Sequence, residues 1–125
     1  MIMLLDTATP IARLTIVDGE ARTEYEWEAN RELARGLLGW LRDMMGQSGK
    51  TFADLEGIGV FEGPGSFTGL RIGMTVCNTL AESLQIHIVA TTGEDWQQVA
   101  LDRLRLGEND EIALPLYDRD ANITK

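Results

Sequence analysis

The sequence predicts one α/β domain whose sheet opens with three antiparallel strands and continues with strands that alternate with helices. Three observations support this order. Short apolar or alternating runs fill residues 1–27, a helical repeat follows from Asn30, and a strand, helix, strand succession covers residues 55–90. A chain of 125 residues buries enough surface for one sizeable core, and a second lobe does not fit.

The first 27 residues predict a β-meander. Residues 1–5 form an apolar run that stops at Asp6, and residues 11–17 alternate up to the turn signal at Asp18 and Gly19. Residues 21–27 alternate charged residues with Thr23, Tyr25 and Trp27, which suits a strand with one solvated face. Short turns between the runs favour antiparallel pairing.

Helical periodicity begins after Asn30, a predicted N-cap, and ends at residues 47–49. Residues 55–61 predict a buried strand, residues 62–69 a glycine-rich turn, residues 70–84 a second helix and residues 86–90 the strand that completes the crossover. A third helix is predicted over residues 94–104. This order is typical of a ribonuclease-H-like lobe with a mixed sheet. Residues 107–125 are predicted to form a loop and a docked C-terminal tail, because Pro115 disfavours a central strand.

The composition excludes several classes of function. Apolar residues at 44% and charged residues at 25% are ordinary for a soluble globular protein, and no apolar run is long enough to span a membrane. A net charge of −9 opposes unaided binding to a nucleic acid. The lone Cys77 forms no internal disulfide, and the N-terminal run has neither a basic leader nor a cleavage site. We therefore expect a cytoplasmic protein without membrane attachment.

The most informative motif is an eleven-residue run between the predicted fourth strand and second helix. Its residues are Gly63, Pro64, Gly65, Ser66, Phe67, Thr68, Gly69, Leu70, Arg71, Ile72 and Gly73. One interpretation is a tightly packed turn in which Ser66 or Thr68 caps the helix. The other is an anion site at the helix N-terminus with Arg71 as counter-charge. From the residues alone the packed turn is favoured, because glycine and proline more often punctuate structure.

This run resembles the GPGSFTG-(L/V)-RIG signature of the TsaB (YeaZ) family. The opening Leu4-Leu5-Asp6-Thr7-Ala8-Thr9 is similar to the family's aIDTAT strand, and residues 115–119 resemble its P-x-Y-x-R terminal motif. The similarity covers about residues 2–96. It implies a single N-terminal lobe over residues 1–125 of the sugar-kinase/Hsp70/actin superfamily, without the second lobe of full-length members.

The resemblance also implies a function. It points to a non-catalytic scaffolding subunit that supports a TsaD-type enzyme in threonylcarbamoylation of the adenosine next to the anticodon of ANN-decoding tRNAs. A TsaE-type ATPase is a further expected partner, a homodimer is left open, and tRNA is expected only through the complex. No cofactor is expected in this chain, since ATP and metal belong to the partner subunits. The alternative is a stand-alone ATPase or metalloprotease-like enzyme of the same superfamily.

Two candidate chemical sites bear on this choice. The family's catalytic paralogue carries an H-x-x-x-H metal pair, and the corresponding positions here hold Thr92 and Trp96. Asp6, Thr7 and Thr9 stand where the superfamily's first phosphate loop would lie. As a nucleotide-loop remnant they could hold a Mg²⁺-nucleotide, but Asp and Thr more commonly close a turn by bonding the local backbone.

The first helix is the expected partner interface. Its apolar stripe is wider than one core-facing side requires, and Gly36 carries a helix-propensity cost that a close partner backbone would explain. An extended core contact is the competing interpretation, and the resemblance favours the interface because the family pairs with TsaD through its first two helices. The expected interface residues are Leu33, Gly36, Leu37, Trp40 and Met74.

Overall fold

The computed structural model of the chain describes residues 1–116, which form a mixed five-stranded sheet with helices on both faces. The strands and helices in chain order are β1 (Ile2–Asp6), β2 (Ile11–Asp18), β3 (Ala21–Glu28), α1 (Leu33–Gln47), β4 (Gly57–Phe61), α2 (Phe67–Leu84), β5 (His87–Thr91) and α3 (Trp96–Arg105). Two short 3-10 turns, Asn30–Glu32 and Phe52–Asp54, precede α1 and β4. None of these helices is both long and apolar enough to cross a membrane.

The sheet has the strand order β3-β2-β1-β4-β5. β1, β2 and β3 pair antiparallel, whereas β4 pairs parallel with β1 and with β5. The registers place Met3 of β1 between Ile16 of β2 and Ile58 of β4. The predicted meander and crossover are therefore confirmed, and the fold is the mixed α/β ribonuclease-H-like lobe that the sequence indicates.

Two layers of helices cover the sheet, and alternate residues of β1 face each layer. Met3 and Leu5 belong to the larger core beneath α1 and α2, whereas Leu4 packs with the residues of α3. α1 contributes a fully or nearly buried row at four-residue spacing, namely Leu33, Leu37, Leu41 and Met45. In α2, burial of Cys77 raises the pKa of its thiol to about 12, as expected of an inert core residue.

Helix starts differ from the sequence prediction. Asn30 has φ +48° and belongs to the 3-10 turn, so its assignment as an N-cap is wrong. The backbone oxygen of Pro10 accepts from the amides of Ala29 (3.1 Å) and Asn30 (3.2 Å), and this bend delays the helix until Leu33. α2 starts three residues earlier than predicted, because Ser66 caps it. α3 begins at Trp96 rather than residue 94.

The outer edge of β5 is closed by the chain that follows α3. Asn109 Oδ1 accepts from the Ile88 amide (3.0 Å), and the Asp110 amide donates to the Ile88 oxygen (2.8 Å). Asp110 Oδ2 accepts from the Ala90 amide (2.9 Å), and Arg103 donates to the Ala90 oxygen (3.3 Å). The outward backbone groups of Ile88 and Ala90 are thus satisfied, which protects an edge that would otherwise pair with other chains.

The same segment continues along α2. The side-chain amide of Asn78 donates to the Ala113 oxygen at 3.0 Å and accepts from the Ala113 backbone amide at 2.8 Å. Pro115 is buried, and the Leu116 amide donates to the oxygen of Glu62 (2.8 Å). Residues 109–116 therefore lie against β5, α2 and Glu62, and residues 117–119 of the expected terminal motif lie outside the described residues.

We expect the Arg103–Asp110 contact to stabilise this closure. Arg103 also bonds Glu108 at 2.6 Å, and these partners, Asp110 first, raise the pKa of its guanidinium above the ordinary value. Arg103→Ala should lower the free energy of unfolding by about 1–3 kcal/mol, because the partly buried Ala90 oxygen loses a donor and Asp110 loses its ion-pair partner. The exposed Arg105 of the same helix provides the control, and Arg105→Ala should change stability by less than about 0.5 kcal/mol. Urea denaturation followed by circular dichroism measures both, and equal losses would contradict the assigned role.

Candidate functional site

The eleven-residue motif forms the turn between β4 and α2. Gly63 has φ +116°, a backbone angle that favours glycine, and the Gly63–Pro64 peptide is cis. Ser66 Oγ accepts from the Gly69 amide at 3.2 Å, so Ser66 rather than Thr68 caps the helix. The Ser66 amide in turn donates to the Ala8 oxygen at 2.8 Å. The turn is therefore bonded both to its own helix and to the connection between β1 and β2.

Three glycines of α2 and its entry turn, Gly65, Gly69 and Gly73, form a glycine groove that receives the β1–β2 turn. A Cβ on Gly65 would lie 2.8 Å from the Ala8 oxygen, and one on Gly69 or Gly73 would collide with Thr7. Thr7 is buried, and its hydroxyl donates to the Gly69 oxygen at 2.7 Å. The spacing of four residues places Gly69 and Gly73 on one side of α2, and Gly65 lies just before the helix. The close approach of Thr7 and Ala8 excludes side chains at all three positions.

Asp6 and Thr9 bond the backbone next to them. Asp6 Oδ1 accepts from the Ala8 amide at 2.8 Å, and Thr9 Oγ1 contacts both the oxygen (3.0 Å) and the amide (3.2 Å) of Ile11. These are the local turn bonds that the sequence offered as the alternative to a nucleotide loop. Thr7 differs, because its contact reaches α2 and joins two distant parts of the chain.

Phe67, Thr68 and Arg71 of the motif lie at the surface. Phe67 is 59% exposed, and the Arg71 guanidinium lies 5.2 Å from the centre of its ring, a cation–π distance. Thr68 and Ser66 border a hollow of about 730 Å³ between the motif, the β1–β2 turn and the start of α1. The motif thus combines a packed inner side with a surface that carries an aromatic ring and a cation.

Thr92 and Trp96, the residues expected at the positions of the metal pair, make structural contacts. The Thr92 hydroxyl donates to the Gly63 oxygen and so fixes the entrance of the glycine turn. The Trp96 ring packs 5.6 Å from the ring of Phe61, and its backbone oxygen accepts from Thr91 (2.7 Å). His87 is exposed at the start of the edge strand β5. Within residues 1–116, no group of three or more His, Cys, Asp or Glu side chains is arranged to hold a metal.

Burial corrects part of the expected interface. Leu33, Leu37 and Met74 are 6%, 0% and 3% exposed, and all three pack in the core beneath α1 and α2. Side chains enclosed in this way present no surface to a partner. They hold the two helices on the sheet, and the wide apolar stripe of α1 reflects this contact together with one to β3.

Gly36 and Trp40 also pack against another residue of this chain. A Cβ on Gly36 would lie 2.8 Å from Cη2 of Trp27 in β3, and the Trp27 and Trp40 rings are 5.5 Å apart. The lack of a side chain at Gly36 therefore makes room for the Trp27 ring and not for a partner's backbone, which corrects the interpretation of Gly36. This role of Trp27 was not predicted, although Trp27 alternates with Thr23 and Tyr25 on one side of the strand, the side that faces Gly36 of α1.

The opposite flank of α1 is exposed. Leu38 is 51% exposed and lies one helical turn from Ala34. Ala34 borders a shallow groove of about 310 Å³ between the two helices, here termed the α1–α2 groove, whose lining residues are Ala34, Arg71, Ile72, Thr75 and Val76. Leu38 was not among the expected interface residues, although helical periodicity in the sequence places it on one flank of the apolar stripe of α1.

The glycine groove provides a stability test. Gly73→Ala should lower the free energy of unfolding by about 2–3 kcal/mol, because the new Cβ would displace the buried Thr7 hydroxyl. A Cβ added at Gly46 of α1 would meet nothing within 4 Å, so Gly46→Ala should raise stability by about 0.5–1 kcal/mol through helix propensity. Thermal and urea denaturation of the two variants check this difference in sign. A neutral Gly73→Ala would show that the groove does not hold the turn.

Comparison with known proteins agrees with this architecture. Residues 27–92 match the family described as "TsaD: tRNA N6-adenosine threonylcarbamoyltransferase". The tRNA threonylcarbamoyladenosine biosynthesis protein TsaB of Escherichia coli K12 is 29% identical over 92 residues, 73% of this chain and 39% of that protein. TsaB of Bacillus subtilis 168 is 56% identical over 39 residues, which cover 31% of this chain and 17% of that protein.

The solved structures include a close fold match. YeaZ from Pseudomonas aeruginosa superposes with a TM-score of 0.68 at 28% identity, covering 73% of this chain and 43% of that one. The chain thus spans about two fifths of the length of these longer relatives. The family match covers more than half of the chain and includes the glycine turn. On this evidence, the chain belongs to the family described as "TsaD: tRNA N6-adenosine threonylcarbamoyltransferase", and its resemblance to TsaB (YeaZ) is supported by these relatives.

Proposed function

We propose that this chain is a non-catalytic accessory subunit that supports a TsaD-type enzyme in the threonylcarbamoylation of tRNA. Two of its relatives are named as tRNA threonylcarbamoyladenosine biosynthesis proteins, and the matched family is described as a tRNA N6-adenosine threonylcarbamoyltransferase. The substrate position within the tRNA, the adenosine next to the anticodon of ANN-decoding tRNAs, follows from the family resemblance. The catalytic step belongs to the partner in this proposal.

The observation that carries the proposal is that the two residues expected at the positions of the metal pair contact other residues of this chain. The family resemblance assigns Thr92 and Trp96 to the positions of the catalytic paralogue's metal pair, and these residues contact Gly63 and Phe61 of this chain. Neither a hydroxyl bonded to backbone nor an indole provides the imidazole nitrogens of an H-x-x-x-H site. Metal and ATP are accordingly assigned to the partner subunits.

The proposed surface for a partner is the outer side of α1 and α2. Leu38 and Phe67 are about half exposed, and the half-buried Ile72 and Val76 line the groove between the helices. Exposed apolar side chains beside a groove are typical of a protein interface. The buried residues of the same helices would support this surface from below, so that a partner meets preformed helices.

The net charge of the chain suggests how tRNA would be bound. A chain with a net charge of −9 has few cations to neutralise phosphates, so we propose that tRNA is bound by the assembled complex. A TsaE-type ATPase is proposed as a further member of that complex. Because the complex acts on tRNA, the proposed place of action is the cytoplasm.

A matched pair of α1 variants tests the interface. Leu38→Ala should leave the melting temperature of the lone chain nearly unchanged and weaken binding to the TsaD-type protein by about 1–2 kcal/mol, because Leu38 is exposed. Trp40→Ala should lower folding stability by about 2–3 kcal/mol, since it removes the partner of Trp27. Thermal denaturation and calorimetric titration on one preparation separate the two effects.

The opposite pattern would contradict the proposed surface. If Trp40→Ala abolished binding without loss of stability while Leu38→Ala bound normally, the partner would contact the β3 side of α1. Reconstituted tRNA modification tests the function itself. The TsaD-type enzyme should modify tRNA faster with the chain than without it, and an unchanged rate in a complete system would refute the accessory role.

A further inference from the structure

Charge is distributed unevenly in this acidic chain. The chain has 20 Asp and Glu residues, yet Asp43 and Glu82 are the acidic residues of α1 and α2. The same two helices carry Arg35, Arg42 and Arg71. The helices that line the α1–α2 groove therefore have a small positive balance within a protein whose net charge is −9.

The arginines of α1 lie on one side of the helix, and a further arginine lies in the turn before it. Arg35, Leu38 and Arg42 follow one another at spacings of three and four residues, which places them on a single stripe of α1, and Arg31 precedes them in the 3-10 turn. All four are exposed. We term Arg31, Arg35 and Arg42 the arginine stripe. Since Leu38 lies on it, one turn from Ala34, the stripe borders the α1–α2 groove.

Intramolecular ion pairs do not account for the stripe. Arg42 contacts its neighbour Asp43 at 3.3 Å, a pair exposed on both sides and hence weak. Over residues 1–116, Arg31 and Arg35 form no salt bridge. By contrast, Arg103 and Lys50 are each paired with carboxylates of this chain. The charge of Arg31 and Arg35 is thus directed to solvent in the lone chain.

We infer, resting on the proposed function, that the partner surface docked on the α1–α2 groove is acidic. It would present Asp or Glu side chains to the arginine stripe and apolar side chains to Leu38 and the groove. Complementary charge at an interface speeds association and fixes register more than it raises affinity. The partner's carboxylates would therefore steer a subunit that its net charge of −9 otherwise repels from acidic surfaces.

Two other occupants fit this surface less well. A two-fold dimer of this chain through the same face would bring the arginines of both copies to one interface, with Asp43 and Glu82 as the acidic residues of the paired helices. An RNA strand would meet cations, but also Leu38 and the half-buried Ile72 and Val76, which offer no contact to phosphate. A protein surface that combines apolar and acidic side chains complements both features.

Association kinetics between the full chain and the TsaD-type protein of the same organism test the inference. The association rate should fall about tenfold or more between about 50 mM and about 500 mM NaCl. The double variant Arg31→Gln and Arg35→Gln should associate about tenfold more slowly at low salt and lose most of this salt dependence. Arg105→Gln, which removes one exposed charge from α3, should behave like the unaltered chain.

Each outcome decides between the proposals. Binding that is independent of salt, or unaffected by the double variant, would overturn the acidic-partner inference and leave the accessory function standing. Absence of binding at every salt concentration would overturn both. Self-association of the lone chain that the double variant strengthens at low salt, or binding of tRNA that the double variant weakens, would assign the stripe to one of the other occupants.

Discussion

The fold depends on one close contact, the seating of Thr7 and Ala8 against the glycine groove of α2. Gly65, Gly69 and Gly73 leave no room for side chains there, and the Thr7 hydroxyl closes the contact on the Gly69 oxygen. This contact fixes the N-terminal half of α2 over the end of β1. Because α1 packs beside α2 on the same face of the sheet, it also determines the position of the α1–α2 groove.

The rest of the lobe limits which surfaces remain open. α3 covers the second face of the sheet, and Arg103, Asn109 and Asp110 close the outer edge of β5. On the first face, Trp27 and Trp40 close the flank of α1 toward β3. The outer side of α1 and α2 then combines exposed apolar residues with arginines, which is why a partner is expected there and not at the glycine turn.

The succession of strands and helices along the chain was predictable because alternation and helical periodicity are local signals. The packed-turn interpretation of the motif also came from local chemistry, since glycine and proline commonly punctuate structure. Leu33, Leu37, Met74, Gly36 and Trp40 were misassigned for a different reason. Periodicity shows that a helix has an apolar stripe, but which of its residues are buried against the sheet, and which flank meets Trp27 of β3, depends on long-range packing.

Hydrogen–deuterium exchange of the chain with and without the TsaD-type protein tests the central claim most directly. If the glycine turn is a packing device and the outer helices bind the partner, added protection should appear in residues 31–42 and 67–76. Exchange in residues 6–9 should be equally slow in both samples. Added protection confined to residues 6–9 and 63–66, with α1 unchanged, would show that the partner or its nucleotide binds at the turn and would contradict this account.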